Sequence, residues 1–422
     1  MPFMSLCRSV AERRSRLWLL LSAGILNPGP FPAALGAIQP AAIQNQIPAN
    51  VPGVVIDHSP AASGLYIGSP SIAVLTNGDY LASHDFFGPN SKEFECPRTL
   101  VFRSQDRGLS WRRVSEIQCQ FWANLFSHEG AVYIMGTDKH HGRIVIRRST
   151  DGGVTWSEPR DSRSGLLTAS GQYHTAPVPV IEHNGRLWRG FENAEGGTKW
   201  GERYRAGMLS VSAEADLLDA SNWTLSNFLP GNSSWLQPRF GGWLEGNAVV
   251  GTSGEILDVL RVDTPGLPEK VALITISPDG RQAAFAPAQG FANLPGGAKK
   301  FTIRRDPRGN GYWTLASIVP GPDSQASTPK EEPQAPASVR NTLALLYSEN
   351  LRQWKIRSIL LHHADVARHG FQYVDWLFDD DDLIAVCRTA YDDPAGGAHS
   401  FHDANFLTFH RFKNFRSLAA KP

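Results

Sequence analysis

The segment Ser149-Thr-Asp151-Gly-Gly153-Val-Thr-Trp156 sets the tightest limit on what this chain can fold into. An aspartate followed by two glycines makes an Asx-type turn whose glycines accept positive φ, and the tryptophan folds back to bury its ring over the hairpin. Ile144-Val-Ile-Arg-Arg-Ser149 is the strand that delivers the turn. The spacing S-x-D-x-G-x-x-W returns at Ser104-Gln-Asp106-Arg-Gly108-Leu-Ser-Trp111, after Thr99-Leu-Val-Phe-Arg-Ser104. Two copies about 45 residues apart indicate one structural unit used repeatedly, at the spacing of propeller blades. Weaker echoes stand at Ser277-Pro-Asp279-Gly280, at Tyr347-Ser-Glu-Asn350-Leu-Arg-Gln-Trp354, and from Ser212 to Trp223, the last with a helical insertion near Ala213 to Ser221.

The rest of the chain reads the same way. Short apolar runs alternate with Gly, Asn and Asp turns, as in Ser71-Ile-Ala-Val-Leu75 before Thr76-Asn-Gly-Asp79, and Val178-Pro-Val-Ile-Glu182 before His183-Asn-Gly185. Gly53-Val-Val-Ile-Asp57 is placed to pair with Phe406-Leu-Thr-Phe-His-Arg411 and close the ring, leaving no open edge. The composition agrees: of 422 residues, 39 are Gly and 29 Pro, which means many turns and few long helices. A net charge of +1 gives no nucleic-acid footprint. Blades of about 50 residues would divide the roughly 360 residues from 53 into seven, and blades of about 60 into six, so spacing alone does not choose.

The N-terminus has a different character. Arg13-Arg-Ser-Arg16 precedes an apolar run from Leu17 to Leu26 that is too short to span a bilayer, and Ala33-Ala-Leu-Gly-Ala37 offers a small-residue cleavage site. We read 1–37 as a secretory signal, 38–52 as a linker and 53–415 as the propeller, secreted or periplasmic, with no membrane span, and a monomer. Gly321 to Ser338 is an inserted exposed loop. Cys96 and Cys119 flank the first hairpin, either bridged or as buried thiols.

Polar residues at strand ends are the candidates for chemistry, because propeller strands deliver them to one end of the central channel. These include His84, Tyr173 and His174, Arg189, Arg304, and His140-His141, a candidate metal-ligand pair of which at most one would serve one site because adjacent strand residues point to opposite faces. Arg388 follows a very apolar strand and needs an anion, either Asp403, Asp392 or a substrate carboxylate. Trp200 and Trp243 are candidate sugar platforms, with core packing as the alternative. The sequence leaves a metal site open and requires no cofactor; Asp379-Asp-Asp-Asp382 is a solvated turn that leaves a structural Ca²⁺ open.

The Ser-x-Asp turns resemble the Asp-box of sialidase-like β-propellers, a resemblance that bears on fold and not on chemistry. The arginine that opens the sialidase Arg-Ile-Pro motif has no counterpart in Tyr66-Ile-Gly-Ser-Pro70, which argues against sialidase activity. Tyr66-Ile-Gly-Ser-Pro-Ser71, Asn77 to Gly88, Thr137-Asp-Lys-His-His-Gly142, Phe240 to Asn247 and Gly297 to Arg304 resemble the family of L-rhamnose-α-1,4-D-glucuronate lyases and α-L-rhamnosidases. That resemblance implies an all-β, seven-bladed propeller and an acidic plant-type glycan as partner, the rhamnose caps of arabinogalactan or gum arabic. Tyr173 and Arg189 also match a tyrosine–arginine spacing of the more distant ulvan lyases. β-Elimination would then use Arg189, with Arg304 or Arg388, on the uronate carboxylate, His84 or His174 as base, and Tyr173 or the other histidine as acid. His141, Trp200, Trp243, Arg304 and Arg388 would bind substrate. Hydrolysis of the same bond is the alternative, and a non-catalytic glycan-binding propeller is a third reading.

Overall fold

The computed structural model describes residues 50–237, 239–266, 268–320 and 335–418. The signal segment, nearly all of the linker and most of the inserted loop from Gly321 lie outside them.

Alternating short strands and tight turns produce six antiparallel sheets, the blades of one propeller. Blade 1 holds Tyr66–Ile67 and Ser71–Val74 innermost, then Tyr80–Phe87, Arg98–Ser104 and Arg112–Gln118. Blade 2 is Phe121–His128, Ala131–Thr137 and Ile144–Ser149. Blade 3 runs through Tyr173–His174 and Ile181–His183, Arg186–Asn193 and Arg205–Ser212 to a split outer edge, Thr224–Leu225 and Leu229–Pro230. Blade 4 is Gly242–Val250, Ile256–Asp263 and Lys270–Ile276, again with a split edge. Blade 5 is Phe301–Arg305, Tyr312–Ser317, Thr342–Ser348 and Trp354–His362. Blade 6 joins Gly370–Asp379, Asp382–Ala390 and Phe406–Phe412 to the N-terminal Val54–His58, with Val54 opposite Phe409 and His58 opposite Phe406. The ring therefore closes as the sequence suggests.

The expected seven blades are corrected to six. The resemblance implied seven; innermost strands of blades 1 and 3 and outer edges of blades 3 and 4 are broken into short pieces that share a sheet, so a blade takes about 60 residues on average. The apolar layers agree. Each lies between two neighbouring blades: Leu81 and Ile134 between 1 and 2, Met135 and Phe191 between 2 and 3, Trp188 and Trp243 between 3 and 4. Leu273 and Leu346 fill the space between 4 and 5, Trp313 and Trp376 between 5 and 6, and Tyr80 and Ile384 between 6 and 1. Along the channel, short polar side chains stitch blade to blade. Ser71 donates to Asp375 (2.8 Å) and accepts from the Leu125 amide (2.9 Å), Asn247 accepts from the Ile303 amide (2.9 Å), and Thr302 donates to the Val374 carbonyl (2.8 Å).

The repeated turns form as their chemistry requires. Asp151 accepts from Ser149 and from the Thr155 amide, and Trp156 Nε1 donates to the Gly153 carbonyl (3.1 Å). Asp106 and Trp111 repeat this, and Trp354 Nε1 donates to the Leu351 carbonyl in the fourth copy. In the fifth, Trp223 Nε1 reaches the Leu217 carbonyl and the insertion is a single 3₁₀ turn, Ala220–Asn222, in place of the expected helix. Gly108 sits at φ +91°, and a Cβ there would stand 2.2 Å from the Phe409 ring of blade 6. Gly108→Ala should cost about 2–4 kcal/mol, combining backbone strain with overpacking, and lower the thermal midpoint. A thermal melt with an unchanged midpoint would contradict the packing described.

Candidate functional site

Tyr80 pairs with Ser104 and Asp85 with Thr99, so the Asp-box turns and Asp85 lie at opposite ends of blade 1. At the Asp85 end a cavity of about 420 Å³ sits over the channel mouth. Three innermost strands shape it by the same device. The register slips between Phe121 and Asn124 in blade 2, between Leu244 and Asn247 in blade 4, and between Gln372 and Asp375 in blade 6. Each bulge holds one non-glycine residue at positive φ: Trp122 at 48°, Glu245 at 60°, Tyr373 at 55°. All three line the cavity. A bulge re-aims a side chain, and strain of this kind, about 1–3 kcal/mol per residue, persists where the surrounding sheet imposes it.

Tyr373 Oη donates to Glu245 Oε1 at 2.8 Å, and Glu245 Oε2 accepts from Arg261 Nη1 at 3.0 Å. Burial acts most strongly on Glu245 and favours its neutral form, but Arg261, His174 and the Tyr373 hydrogen bond together outweigh it, and the carboxyl titrates below its usual range. Burial and the nearby Glu245 charge push the Tyr373 phenol up, so it carries its proton. A neutral tyrosine thus points its O–H at an ionised base.

Arg388 is buried, 4% exposed, and lines the cavity with its guanidinium 4.9 Å from the Tyr373 ring centroid and 4.3 Å from that of Phe87. Its Nε donates to the His402 carbonyl at 3.1 Å, and no carboxylate pairs with it among the described residues. Burial lowers its pKa to about 10, leaving it charged at neutral pH. Arg340 lies 5.7 Å from the Tyr373 ring and is held by Gln372.

On the blade 3 side, His174 Nδ1 stands 2.7 Å from Glu192 Oε2, while Glu192 Oε1 accepts from the Gly246 amide at 3.0 Å. Glu192 thereby ties His174 to the Glu245 bulge and leaves Nε2 as the nitrogen free for the cavity. The imidazole lies between Trp122 (4.5 Å) and Tyr204 (4.4 Å). Burial raises the Tyr204 phenol, whose hydroxyl lies 3.1 Å from His141 Nε2. Asp85 accepts from the Ser69 and Trp122 amides (2.6 Å each), and burial pushes its carboxyl up to about 6.

Of the residues singled out from sequence, His140, His141, His174, Trp200 and Arg388 line this cavity. The others are placed elsewhere. His84 is fully buried, its Nε2 2.8 Å from Asp57, because it faces away from its neighbour Asp85 on the strand. Tyr173 faces away from His174 for the same reason and packs near Phe228. Arg189 lies buried deeper in the channel, donating to the Ala176 carbonyl. Arg304 donates to the Trp376 carbonyl and lies 3.2 Å from Asp375. Trp243 is core, edge-on to Phe240 and Phe285. His140 and His141 both face the cavity, since they occupy a turn and not a strand. Asp379 and Asp382 both accept from Arg411. Glu245, Tyr373, Trp122, Tyr204 and Arg261 received no role from sequence. A shared signal marks the three bulges, a large residue, then a small or β-branched one, then Asn or Asp: Trp122-Ala-Asn124, Glu245-Gly-Asn247, Tyr373-Val-Asp375.

His141 supplies a pH signature. Burial first, then His140, His174 and Arg203, hold its pKa down at about 2 against an ordinary 6.5. A depressed folded-state pKa contributes stability that is complete above 6.5 and is lost as pH falls toward 2. His402 and His410, each lowered to about 4 by burial, act in the same direction. Urea midpoints should fall as pH drops from 7 to 4.5. His141→Asn, tolerable at φ 49°, should flatten that fall by up to about 1.4 kcal/mol per pH unit. An unaltered slope would contradict the assignment.

No protein-family model matches the chain, and no curated protein matches it in sequence. Solved structures do. The α-L-arabinanase of Penicillium chrysogenum complexed with arabinobiose shares 12% identity at a TM-score of 0.52, covering 88% of this chain and 100% of its own. The α-L-arabinofuranosidase Arb93A of Fusarium graminearum shares 11% identity at 0.55, covering 87% and 98%. The Hadza microbial sialidase Hz136 shares 13% at 0.58, covering 86% and 68%. At these identities the likeness is one of fold: this chain is a six-bladed propeller of the sialidase- and arabinanase-like kind.

Proposed function

We propose that the protein is a carbohydrate-active enzyme that cleaves a glycosidic bond at a uronic acid residue, acting by hydrolysis through Tyr373. The observation that carries this reading is Arg388, a buried cation with no carboxylate partner among the described residues, set beside a tyrosine whose hydroxyl is bonded to an ionised glutamate. A substrate carboxylate supplies the missing anion. Next to that carboxylate a glutamate nucleophile would be repelled, whereas a tyrosine attacks as a neutral group and loses its proton only as the bond forms. Glu245 takes the phenol proton as Tyr373 Oη attacks the anomeric carbon, and His174, oriented by its Nδ1 contact with Glu192, gives a proton to the departing oxygen. Water then attacks the anomeric carbon, His174 takes the water's proton, and Tyr373 Oη leaves as Glu245 returns the phenol proton to it. The folds of the arabinanase, arabinofuranosidase and sialidase support a glycan-acting enzyme, and the sequence resemblance directs attention to rhamnose-capped glucuronate.

Elimination at the same uronate has its own observation in favour, the His174–Glu192 pair: His174 would abstract the C5 proton while Arg388 neutralises the carboxylate and Tyr373 or Tyr204 protonates the leaving O4. Neither route needs a cofactor. The Cys96–Cys119 disulfide fits the secreted or periplasmic location proposed from the N-terminus. Digestion of gum arabic, followed by new reducing ends, free rhamnose and absorbance near ~235 nm, where an unsaturated uronate absorbs, separates the routes. Reducing ends without absorbance are expected. Rising absorbance would replace hydrolysis with elimination, and binding without product would leave a glycan-binding module.

A further inference from the structure

Beside the cavity lies a second, larger hollow of about 890 Å³ over blades 2 and 3, and the two share His140, His141 and Arg203 as common walls. Phe94 stands at its edge with 65% of its surface exposed. The ring is not loosely held. Its loop is stapled by the Cys96–Cys119 disulfide, and the His140 amide donates to the Glu93 carbonyl at 2.7 Å. The Phe94 ring lies 4.6 Å from that of His140, tilted by 34°, and most of its surface stays open.

The charges of the hollow are unevenly committed. Asp138 is paired with Arg143 and Glu158 with Arg147. Lys139 is exposed in a turn, and Arg203 is held by the Ala194 carbonyl and Gln172, neither of them against a carboxylate among the described residues. Glu95 also stands there without a cation among the described residues. An aromatic face fixed at the edge of a polar hollow, with cations between it and the reacting groups, is the chemistry that takes a sugar ring and an acidic substituent.

We propose that this hollow is a subsite for the leaving-chain side of an acidic oligosaccharide, with Phe94 stacking on a sugar face and Lys139 and Arg203 receiving a second uronate carboxylate. This rests on the uronate reading above and deepens it: the protein selects chains of several sugars over isolated glycosides. The test is calorimetric binding to the Tyr373→Phe protein, which holds ligand without turnover, using methyl glucuronide and acidic oligosaccharides of three or more sugars from partial hydrolysis of gum arabic. Oligosaccharide should bind more tightly than methyl glucuronide. Adding Phe94→Ala should weaken the oligosaccharide about tenfold and leave methyl glucuronide unchanged, with an unaltered thermal midpoint because the ring is exposed. Lys139→Ala should weaken the oligosaccharide alone as well. Equal loss for both ligands, or none for either, would overturn the subsite while leaving the uronate reading intact. Failure of both ligands to bind the parent protein would overturn the uronate reading and the subsite with it.

Discussion

Tyr373→Phe should lower kcat at least about a thousandfold on any glycan the protein cleaves while leaving the fold in place. The substitution removes one oxygen. It takes away the attacking atom and the hydrogen bond to Glu245, but keeps the ring that packs against Arg340 and Arg388. Glu245 retains Arg261, so no uncompensated charge is left buried, and the stability change should be about 1 kcal/mol, the net worth of one hydrogen bond. The phenylalanine must still sit at φ 55°, but the wild-type tyrosine carries that strain too. A loss of kcat with KM nearly unchanged and a native melting curve is the expected pattern. His174→Ala should also be damaging, yet less so if its work is proton transfer to the leaving group alone.

Arg388→Met should have the second-largest effect, and it should show as lost discrimination. Methionine fills similar space between the Phe87 and Tyr373 rings, where its sulfur is accepted, but presents no charge to the cavity. Since no carboxylate pairs with Arg388 among the described residues, the variant sheds a buried cation rather than breaking an ion pair, so the protein should be no less stable. Catalytic efficiency on a uronate should fall about a hundredfold, equivalent to about 2.7 kcal/mol of carboxylate binding. The methyl ester of the same uronate should be cleaved about equally by both proteins. Arg388→Lys should not rescue fully, because a point charge does not reproduce a planar fork stacked between two rings. If acid and ester substrates suffer alike, Arg388 does not read the carboxylate.

What the chain discloses in advance follows how local the physics is. Asp151 with its glycines and Trp156 form their turn from interactions within eight residues, so the turn, and the hairpin it closes, can be read directly. Closure of Val54–His58 on Phe406–Phe412 is legible because two apolar strands at the ends of a ring have few other partners. Blade number is not local. It depends on whether pieces such as Tyr66–Ile67 and Ser71–Val74 belong to one sheet, which only the packing between blades decides. The site divides likewise. His141, His174, Trp200 and Arg388 were reachable as polar or aromatic residues at strand ends and turns. Whether a strand residue faces the cavity depends on alternation, and that separates Asp85 from His84 and His174 from Tyr173. Glu245 and Tyr373 were hidden because a bulge, not the strand period, turns them inward, and their contact joins blades 4 and 6 over 128 positions.

The central claim is that Tyr373 becomes covalently attached to a sugar held by its carboxylate. An activated, fluorinated analogue of the released sugar slows breakdown of such an intermediate, so intact-protein mass spectrometry after incubation reads it directly. One added glycosyl mass is expected, mapped by peptide sequencing to Tyr373, absent from Tyr373→Phe and strongly reduced in Arg388→Met. An adduct on another residue, or turnover with no adduct and rising absorbance from an unsaturated product, would contradict it.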